Sequence, residues 1–518
     1  MNDRFATAWA LLPGYLSQHV ILSAAAMALG LVVSLALVVA AVRSERVRWP
    51  VLAFASLIQT VPSLALLALF YPFLLAVSGL TQSVFGRGFS ALGFLPSLLA
   101  LALYSMLPVI RNGVAGILNI DAAVIEAARG VGMTDRQRLL RVELPLAAPM
   151  LMAGIRTAAV WVIGAATLST PVGQVSLGNY IFSGLQLQNW VSVLFGCIAA
   201  AALALVVDQL LGVIETGLAR RSRPRVAAGV AALAVGIAVA ALPLGRGAAA
   251  SYVVGGKNFS EQFILVDLMT ARIAEAGGAA VQRTGLGSAV VFAALASGDI
   301  DVYVDYSGTL WANVMRRTDV PRREPMLEEL RAWLAEEHGV VMLGSLGFEN
   351  AYGLAMRRDR AEQLGIATIA DLAAHASELS MGGDLEFFSR PEWAALQSAY
   401  GLALASRREF EPTFMYRAVE DGEVDVISAF TSDGRIAAND LLVLADPAGA
   451  ILPYDAIVLI ARKRANDDVL RRALAPLVDA IPLALMQEAN YRVDRERDKE
   501  TPAATARWLE SEIAARGN

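Results

Sequence analysis

The sequence predicts a chain in two parts, an α-helical membrane domain with six spans followed by an α/β domain folded in two lobes. Of the 518 residues, 56% are hydrophobic and 18% are charged, which is too apolar for a wholly soluble protein and too charged for one that lies entirely in a membrane. Six apolar segments of roughly 20 residues each fill the first half of the chain. From about Ala250, short apolar runs alternate with amphipathic, charge-bearing stretches, as in α/β domains.

The six spans follow from the lengths of these segments, since a helix needs roughly 20 apolar residues to cross a bilayer. We predict them near residues 19–42, 51–77, 92–118, 147–171, 190–214 and 226–244. The first span follows a polar start and is long enough to be retained, so we expect no cleavable signal peptide. Pro62 and Pro108 are expected to kink or interrupt their helices, for reasons of packing or of a pathway through the membrane.

The loops between the spans alternate in charge and thereby predict the orientation. Three loops are rich in arginine, and they carry Arg43, Arg46 and Arg48; Arg129, Arg136, Arg138 and Arg141; and Arg220, Arg221, Arg223 and Arg225. The loops near 78–91 and 172–189 carry only Arg87. By the positive-inside rule the arginine-rich loops are cytoplasmic, so the N-terminus and everything after the sixth span lie outside.

A charged stretch between the third and fourth spans, Glu126–Pro145, has the sequence EAARGVGMTDRQRLLRVELP. Ala122–Arg129 suits a short helix with Asp121 as its N-cap. Gly130 and Gly132 then supply the backbone freedom for a turn.

A second short helix is expected after this turn. Thr134 and Gln137 have the spacing of a capping box, and Pro145 is expected to end the helix. Two short helices at a sharp angle form a compact surface that a soluble protein partner can bind. An ordinary basic cytoplasmic loop is the alternative, and the residues alone leave both open.

The remaining composition argues against several classes of protein. The formal net charge of -5 argues against a nucleic-acid partner. The single cysteine, Cys197, lies in an apolar run, and the three histidines, His19, His338 and His375, lie far apart, so we predict no metal site and no cofactor. The sequence has no nucleophile elbow, HExxH or other catalytic constellation, so we predict no catalytic residue.

Two segments of the second half resemble each other without gaps. Gly298–Ser307 aligns with Gly422–Thr431, and each is expected to hold a helix end, a glycine turn, a short buried strand, and an aromatic residue followed by a hydroxyl residue. Tyr306 and Phe430 are then equivalent. Since ligands of open α/β sheets bind beyond the C-terminal ends of strands, two related lobes would bring both rings into one cleft; the alternative is that both are core residues.

The charged stretch has the register EAA-x3-G-x9-[IV]-x-LP, and residues 121–146 resemble the EAA loop of ABC-importer permeases. The matching residues are Glu126, Ala127, Ala128, Gly132, Val142, Leu144 and Pro145. The resemblance implies that this loop docks on a separate ATPase subunit, present in two copies, and that two permease copies pair in the membrane lipid. None of the three lysines lies in a P-loop, which agrees with an ATPase on another chain.

Four segments of the second half resemble signature segments of the quaternary-ammonium-binding proteins, the family for glycine betaine, carnitine and choline. They are Lys257–Gln262, Asp305–Thr309, Asn350–Ala355 and Ser432–Ile436. The resemblance implies an ABC permease domain at 1–245, fused to an extracytoplasmic, periplasmic-binding-protein-like (type II) domain at 251–518, in the cytoplasmic membrane of a bacterium. We expect lobe I at about 251–350 and 452–518, and lobe II at about 351–451.

In this family, aromatic side chains box a trimethylammonium head, which offers no N–H and is attracted by ring faces, while polar groups hold the other end. By position, the resemblance implies Tyr306 and Tyr352 as cage walls, with Phe430 and Phe388 as weaker members. The polar candidates are Gln262, Thr309 and Asn350; Asp305 and Asp433, which support the cage or hold loops; and Arg390, which reaches a carboxylate or bridges the lobes. Tyr416 matches a family position but is as readily a packing residue.

One departure from the family leaves the exact ligand open. The family tends toward Tyr-Ser-Thr-Asp where this chain has Phe-Thr-Ser-Asp at 430–433, which keeps a ring face but loses a phenol. We therefore predict ATP-driven uptake of glycine betaine, choline, carnitine or a related solute, with ergothioneine as an alternative ligand. A membrane-tethered sensor without transport is a weaker alternative because it needs only one or two spans, and an extracellular enzyme on an anchor is weaker still.

Overall fold

The computed structural model describes residues 2–85, 89–187, 189–242, 252–384, 387–410, 412–495 and 497–517. The chain forms two compact units, the first made of residues 1–185 and 189–248 and the second of residues 186–188 and 249–518. The predicted domain boundary at 245–251 and the outer-loop residue Arg87 lie outside the described residues.

The first unit is entirely helical in its described part. Its helices are α1 (Asn2–Arg43), α2 (Glu45–Thr60), α3 (Ser63–Phe85), α4 (Phe94–Leu118), α5 (Ala122–Gly130), α6 (Asp135–Arg138), α7 (Leu144–Ala166), α8 (Gly178–Gln186), α9 (Trp190–Ala219) and α10 (Arg223–Ala241). Six stretches are long and apolar enough to cross a membrane: Ala8–Arg43, Ser63–Phe85, Phe94–Leu118, Asp135–Val172, Trp190–Ala219 and Arg223–Ala241. The prediction of six spans is thus confirmed.

The second span differs from its prediction at 51–77. α2 ends at Thr60, Val61 is extended, and α3 begins at Ser63. Pro62 disfavours the helical conformation in the residue before it, and this explains the break. The span is therefore α3, which runs on to Phe85, beyond the predicted end.

Of the two outcomes expected at Pro108, a kink or an interruption, the interruption does not occur. α4 continues through it to Leu118. Pro108 is fully buried between neighbouring helices, and its carbonyl lies so close to Gly154 of α7 that a Cβ there would be 2.6 Å away. Close packing against α7 holds this helix together across the proline, as membrane helices often tolerate.

The charged stretch folds locally as predicted up to residue 137. The Asp121 carboxylate accepts a 2.9 Å hydrogen bond from the Ala123 N–H at the start of α5. Gly132 has φ +78° in the turn, a conformation that favours glycine. The Thr134 hydroxyl accepts from the Gln137 N–H at 3.3 Å while the Gln137 amide oxygen accepts from the Thr134 N–H at 3.0 Å, which confirms the capping box.

The prediction that Pro145 ends the second helix is wrong. A five-residue π-helical turn, Leu139–Glu143, joins α6 to α7, so the helix continues into the fourth span. Pro145 lies in the first turn of α7, directly after this π-helical turn. In the same turn, Arg138 Nε donates to the buried Glu143 carboxylate at 2.6 Å.

The second unit is an α/β domain built on two five-stranded sheets. Its elements are β1 (Tyr252–Lys257), α11 (Ser260–Glu275), β2 (Ala280–Leu286), α12 (Ser288–Ser297), β3 (Val302–Tyr306), α13 (Ser307–Thr309), α14 (Arg323–Trp333), β4 (Val341–Glu349), β5 (Tyr352–Arg357), α15 (Arg358–Leu364), α16 (Ile369–His375), β6 (Ser380–Asp384), α17 (Pro391–Tyr400), β7 (Ser406–Phe410), α18 (Pro412–Glu420), β8 (Val426–Phe430), α19 (Arg435–Ala438), β9 (Leu441–Val443), β10 (Asp455–Ile460), α20 (Asp468–Leu474), α21 (Leu483–Asp494) and α22 (Pro502–Gly517). The strand orders are β2-β1-β3-β10-β4 and β7-β6-β8-β5-β9.

The chain passes from the first sheet to the second between β4 and β5 and returns between β9 and β10. The two crossings touch, because the Asn350 N–H donates to the Tyr454 carbonyl at 2.9 Å. After the return, α20, α21 and α22 pack around α11 beside the first sheet. The site described below lies beside these crossings.

The two similar segments fold alike, as predicted. Gly298 and Gly422, at φ +81° and +73°, follow a helix and precede the buried strands β3 and β8, each the middle strand of its sheet. Each of the two segments also has an aspartate directly before its strand. Asp301 accepts from the Val253 N–H at 2.7 Å, and the matching Asp425 accepts from the Ser380 N–H at 2.9 Å.

Candidate ligand-binding cleft

A cleft of about 480 Å³ lies in the α/β unit beside the two crossings, at the C-terminal ends of β3 and β8. Tyr306 and Phe430, the equivalent residues of the repeat, both line it. Seven of the ten predicted ligand-binding residues line the cleft: Tyr306, Tyr352, Phe430, Thr309, Asn350, Arg390 and Asp433. The other three, Gln262, Asp305 and Phe388, lie behind its walls.

Aromatic rings form two groups in the cleft. Tyr352 of β5 pairs across the sheet with Phe430 of β8, and their ring centroids are 5.0 Å apart. Tyr454, on the return crossing, stands edge-on to Tyr352 at 6.1 Å. On the first sheet, Tyr306 lies 6.0 Å from Phe259, which precedes α11. Ring faces from both sheets therefore border one cavity.

The phenol of Tyr306 is held in a buried hydrogen-bond network. It donates to the Glu261 carboxylate and accepts from the Gln262 amide at 3.0 Å. Burial raises the pKa of Tyr306 well above its usual range, so this phenol stays a donor. Burial also raises the pKa of Glu261. The ring orientation is therefore fixed from behind.

Lys257 brings a positive charge to the same ring. Its ammonium group pairs with the fully buried Asp305 carboxylate and lies 5.0 Å from the centre of the Tyr306 ring. Tyr303 donates to the other Asp305 oxygen at 2.5 Å. Asp305 thus neutralises a buried cation and does not face the cavity.

Arg390 occupies the corresponding place beside Tyr352. Its Nε lies 3.3 Å from a carboxylate oxygen of the buried Glu392, and its Nη2 donates to the Tyr454 hydroxyl at 3.0 Å. Its Cζ lies 5.1 Å from the centre of the Tyr352 ring. Arg390 therefore connects the second sheet to the return crossing.

Asp433 and Arg435 form a third ion pair at the cleft, with Arg435 Nε 2.9 Å from Asp433 Oδ1. The Arg435 guanidinium covers the ring of Tyr416 at 4.1 Å, and the Tyr416 hydroxyl accepts from the Phe430 N–H at 3.1 Å. Tyr416 is fully buried beneath the cleft wall, which agrees with the packing alternative.

The three residues behind the walls support them. Gln262 donates to the Val304 carbonyl at 3.1 Å as well as to Tyr306, so its amide is already occupied. Phe388 packs edge-on to Trp393 at 5.2 Å and lies against Gly383 of β6. Neither Gln262 nor Phe388 lines the cleft, so neither is placed to contact a ligand there directly.

Several residues that line the cleft were not chosen from the sequence. They include Lys257, Glu261, Tyr454, Asn490 and Asp494. The first two lie in the signature segment Lys257–Gln262, where a charged side chain in an otherwise buried strand–helix junction was an available signal. The others arrive from the return crossing and α21, and no local pattern marks them.

The hydroxyl residues of the repeat hold the crossings. Ser307 donates to the Pro453 carbonyl at 3.0 Å and accepts from the Asp455 N–H at 2.9 Å. Thr431 donates to the Glu349 carbonyl at 3.2 Å and accepts from the N–H of Ala351 at 2.9 Å. In each sheet, the hydroxyl residue that follows the aromatic residue in the cleft therefore forms hydrogen bonds to one of the two crossings.

Both parts of the chain match known families. Residues 250–511 match the family described as the substrate binding domain of ABC-type glycine betaine transport system. Residues 32–220 match the binding-protein-dependent transport system inner membrane component. The first match alone covers half of the chain.

One curated relative matches both parts of the chain, and another, a permease, matches less than half of it. The chain is 28% identical over 469 residues to the ergothioneine transport permease/ergothioneine binding protein of Helicobacter pylori (strain G27), covering 87% of this chain and 81% of that protein. It is 37% identical over 198 residues to the glycine betaine/carnitine/choline transport system permease protein of Bacillus subtilis (strain 168), covering 38% of this chain and 84% of that one. A solved glycine betaine/carnitine/choline ABC transporter structure aligns with 51% of this chain and 99% of its own, at 22% identity and a TM-score of 0.47.

Proposed function

We propose that this chain, which belongs to the binding-protein-dependent ABC importers with a glycine-betaine-type substrate-binding domain, is both permease and solute receptor for a quaternary ammonium compound. The observation that carries the proposal is a cleft bordered by the rings of Tyr306, Tyr352, Phe430 and Tyr454. The first unit is its membrane component, and the second is of the type that binds substrate outside the membrane.

The chemistry of the cleft supports this ligand class. A quaternary ammonium group cannot donate a hydrogen bond, so apolar and aromatic surfaces are what a protein can offer it, and each ring contributes about 0.5–2 kcal/mol. Thr309 and Asn350 line the polar part of the cleft. Gln262, Asp305 and Phe388 act from behind, by fixing ring positions and neutralising Lys257.

We assign the two sheets to two lobes that close on the solute. The strands of the first sheet fall within 251–350 and 452–518, and those of the second within 351–451, which supports the lobe bounds expected from the sequence. The permease domain is assigned to 1–245 and the binding domain to 251–518.

The charged stretch at 121–146 is assigned to coupling with a separate ATPase, two copies of which serve a homodimer of this chain in lipid. Glu126 and Ala127 are exposed on α5, while Ala128 is buried and fixes that helix to the protein. Gly132 turns the chain, and Leu144 and Pro145 begin α7. Because α6, the π-helical turn and α7 form one continuous helix, a displacement of α6 passes directly into the fourth span.

Transport is tested by reconstituting the chain with its ATPase in proteoliposomes and measuring uptake of radiolabelled choline, glycine betaine and ergothioneine. We expect uptake of at least one of them that requires ATP. Glu126→Lys should abolish it, while Glu45→Lys, a change at another exposed acid, should not. ATP-independent uptake contradicts an ATP-driven importer, and binding without any uptake favours the sensor.

A further inference from the structure

The cations of the cleft are already neutralised by the protein. Lys257 pairs with Asp305, Arg390 with Glu392, and Arg435 with Asp433. These pairings account for every lysine and arginine among the described residues that line the cleft. A carboxylate on the ligand would therefore compete with a buried protein carboxylate for each of these cations.

The cleft also holds acceptors that lack donors. Asn490, on α21, donates through Nδ2 to Glu261 at 3.0 Å and to the Ser432 carbonyl at 2.9 Å. These two acceptors fix the orientation of its amide, because a flip would place Oδ1 against both. Its Oδ1 is buried and has no hydrogen-bond partner among the described residues.

Asn350, on the first crossing, has a second buried amide oxygen of this kind. Its Nδ2 faces Glu261 at 3.5 Å, and its Oδ1 is likewise buried without a partner in the described part of the chain. Buried carbonyl oxygens normally find a donor. Both asparagines line the cleft, so a molecule bound there is placed to supply the donors that these two oxygens lack within the described residues.

We propose that the solute is a trimethylammonium compound that carries a hydroxyl or N–H donor, and that this donor binds Asn490 Oδ1 or Asn350 Oδ1. The proposal rests on the proposed function, since the rings take the cationic head. Glycine betaine has no donor and is a poor ligand, whereas choline, carnitine and ergothioneine each have one. A site built around a donor discriminates strongly against analogues that lack it.

Isothermal titration of the full chain in detergent tests this with choline, carnitine and ergothioneine, against glycine betaine and the methyl ether of choline. We expect the tightest donor-bearing compound to bind at least about tenfold more tightly than either donor-free compound. Equal or tighter binding of glycine betaine or of the methyl ether overturns the inference. If no compound of the panel binds, it is the quaternary-ammonium function itself that fails.

Substitutions of the two asparagines test which amide oxygen accepts the hydrogen bond from the ligand. Asn490→Leu or Asn350→Leu should reduce the preference for the donor-bearing compound to about threefold or less. Gln487→Leu is the matched control, because Gln487 lies on the same helix and donates to the Thr431 carbonyl at 2.8 Å. Circular dichroism identifies any variant that fails to fold, and the ligand panel on the unchanged chain remains decisive in that case. An unchanged preference in both folded asparagine variants refutes the assignment.

Discussion

Replacing Tyr306 by leucine removes an aromatic face from the cleft while keeping an apolar side chain in its place. A ring contributes about 0.5–2 kcal/mol to binding of a quaternary ammonium group. Since 1.4 kcal/mol is a factor of ten in affinity, Tyr306→Leu should weaken binding by about 2- to 30-fold. Tyr306→Phe keeps the ring but removes the phenol from Glu261 and Gln262, so it should lower stability more than affinity.

Calorimetry with two ligands isolates the cation–π contribution. Choline and 3,3-dimethylbutan-1-ol have nearly the same shape, but only choline is charged. Tyr306→Leu should weaken the binding of choline far more than the binding of the neutral alcohol. Tyr306→Phe should lose less than half of the choline-binding free energy that Tyr306→Leu loses. Tyr400→Leu is a matched control, because this tyrosine donates to Asp446 away from the cleft. Equal losses for both ligands would show that Tyr306 is only a packing residue.

Two further predictions concern the stability of the α/β unit. Gly434→Ala places a Cβ 2.4 Å from the Gln487 carbonyl and should lower the free energy of unfolding by about 1–3 kcal/mol, whereas Gly287→Ala, with no atom within 4 Å, should be tolerated in the same thermal melts. Burial raises the pKa of Asp494 to about 6, so the folded state favours the protonated carboxyl group. Protonation therefore stabilises the folded state at low pH, and this stabilisation is lost as the pH rises through 6. Relative to Asp494→Asn, the unchanged chain should lose about 1–3 kcal/mol between pH 4 and pH 7 in denaturant titrations; parallel pH profiles would contradict this.

Local signals made much of the fold predictable. The capping box of Thr134 and Gln137 and the N-cap at Asp121 depend on residues within one turn, and both form. Pro145 was misjudged because a π-helical turn continues the helix into the fourth span, and at Pro108 close packing accompanies an uninterrupted helix. Those influences do not appear in the sequence around either residue.

The cleft was predictable only in part, because side-chain direction decides which residue faces it. Asp305 and Tyr306 are neighbours on β3, and successive side chains of a strand point to opposite faces. Tyr306 therefore reaches the cavity while Asp305 is buried against Lys257. Glu261 and Gln262 are neighbours on α11, where successive side chains point about 100° apart, and of these two only Glu261 lines the cleft.

The two repeated strands also explain why the cleft is asymmetric. Asp301 and Asp425 occupy equivalent positions and make equivalent bonds to neighbouring strands, so these positions serve the fold of each sheet. Four residues later the repeat diverges to Asp305 in one strand and Ala429 in the other. Only the first sheet carries a buried lysine, Lys257, whose charge requires a carboxylate at that position. The buried Lys257–Asp305 pair therefore belongs to the first sheet alone, and removing both charges together should disturb the fold less than removing either alone.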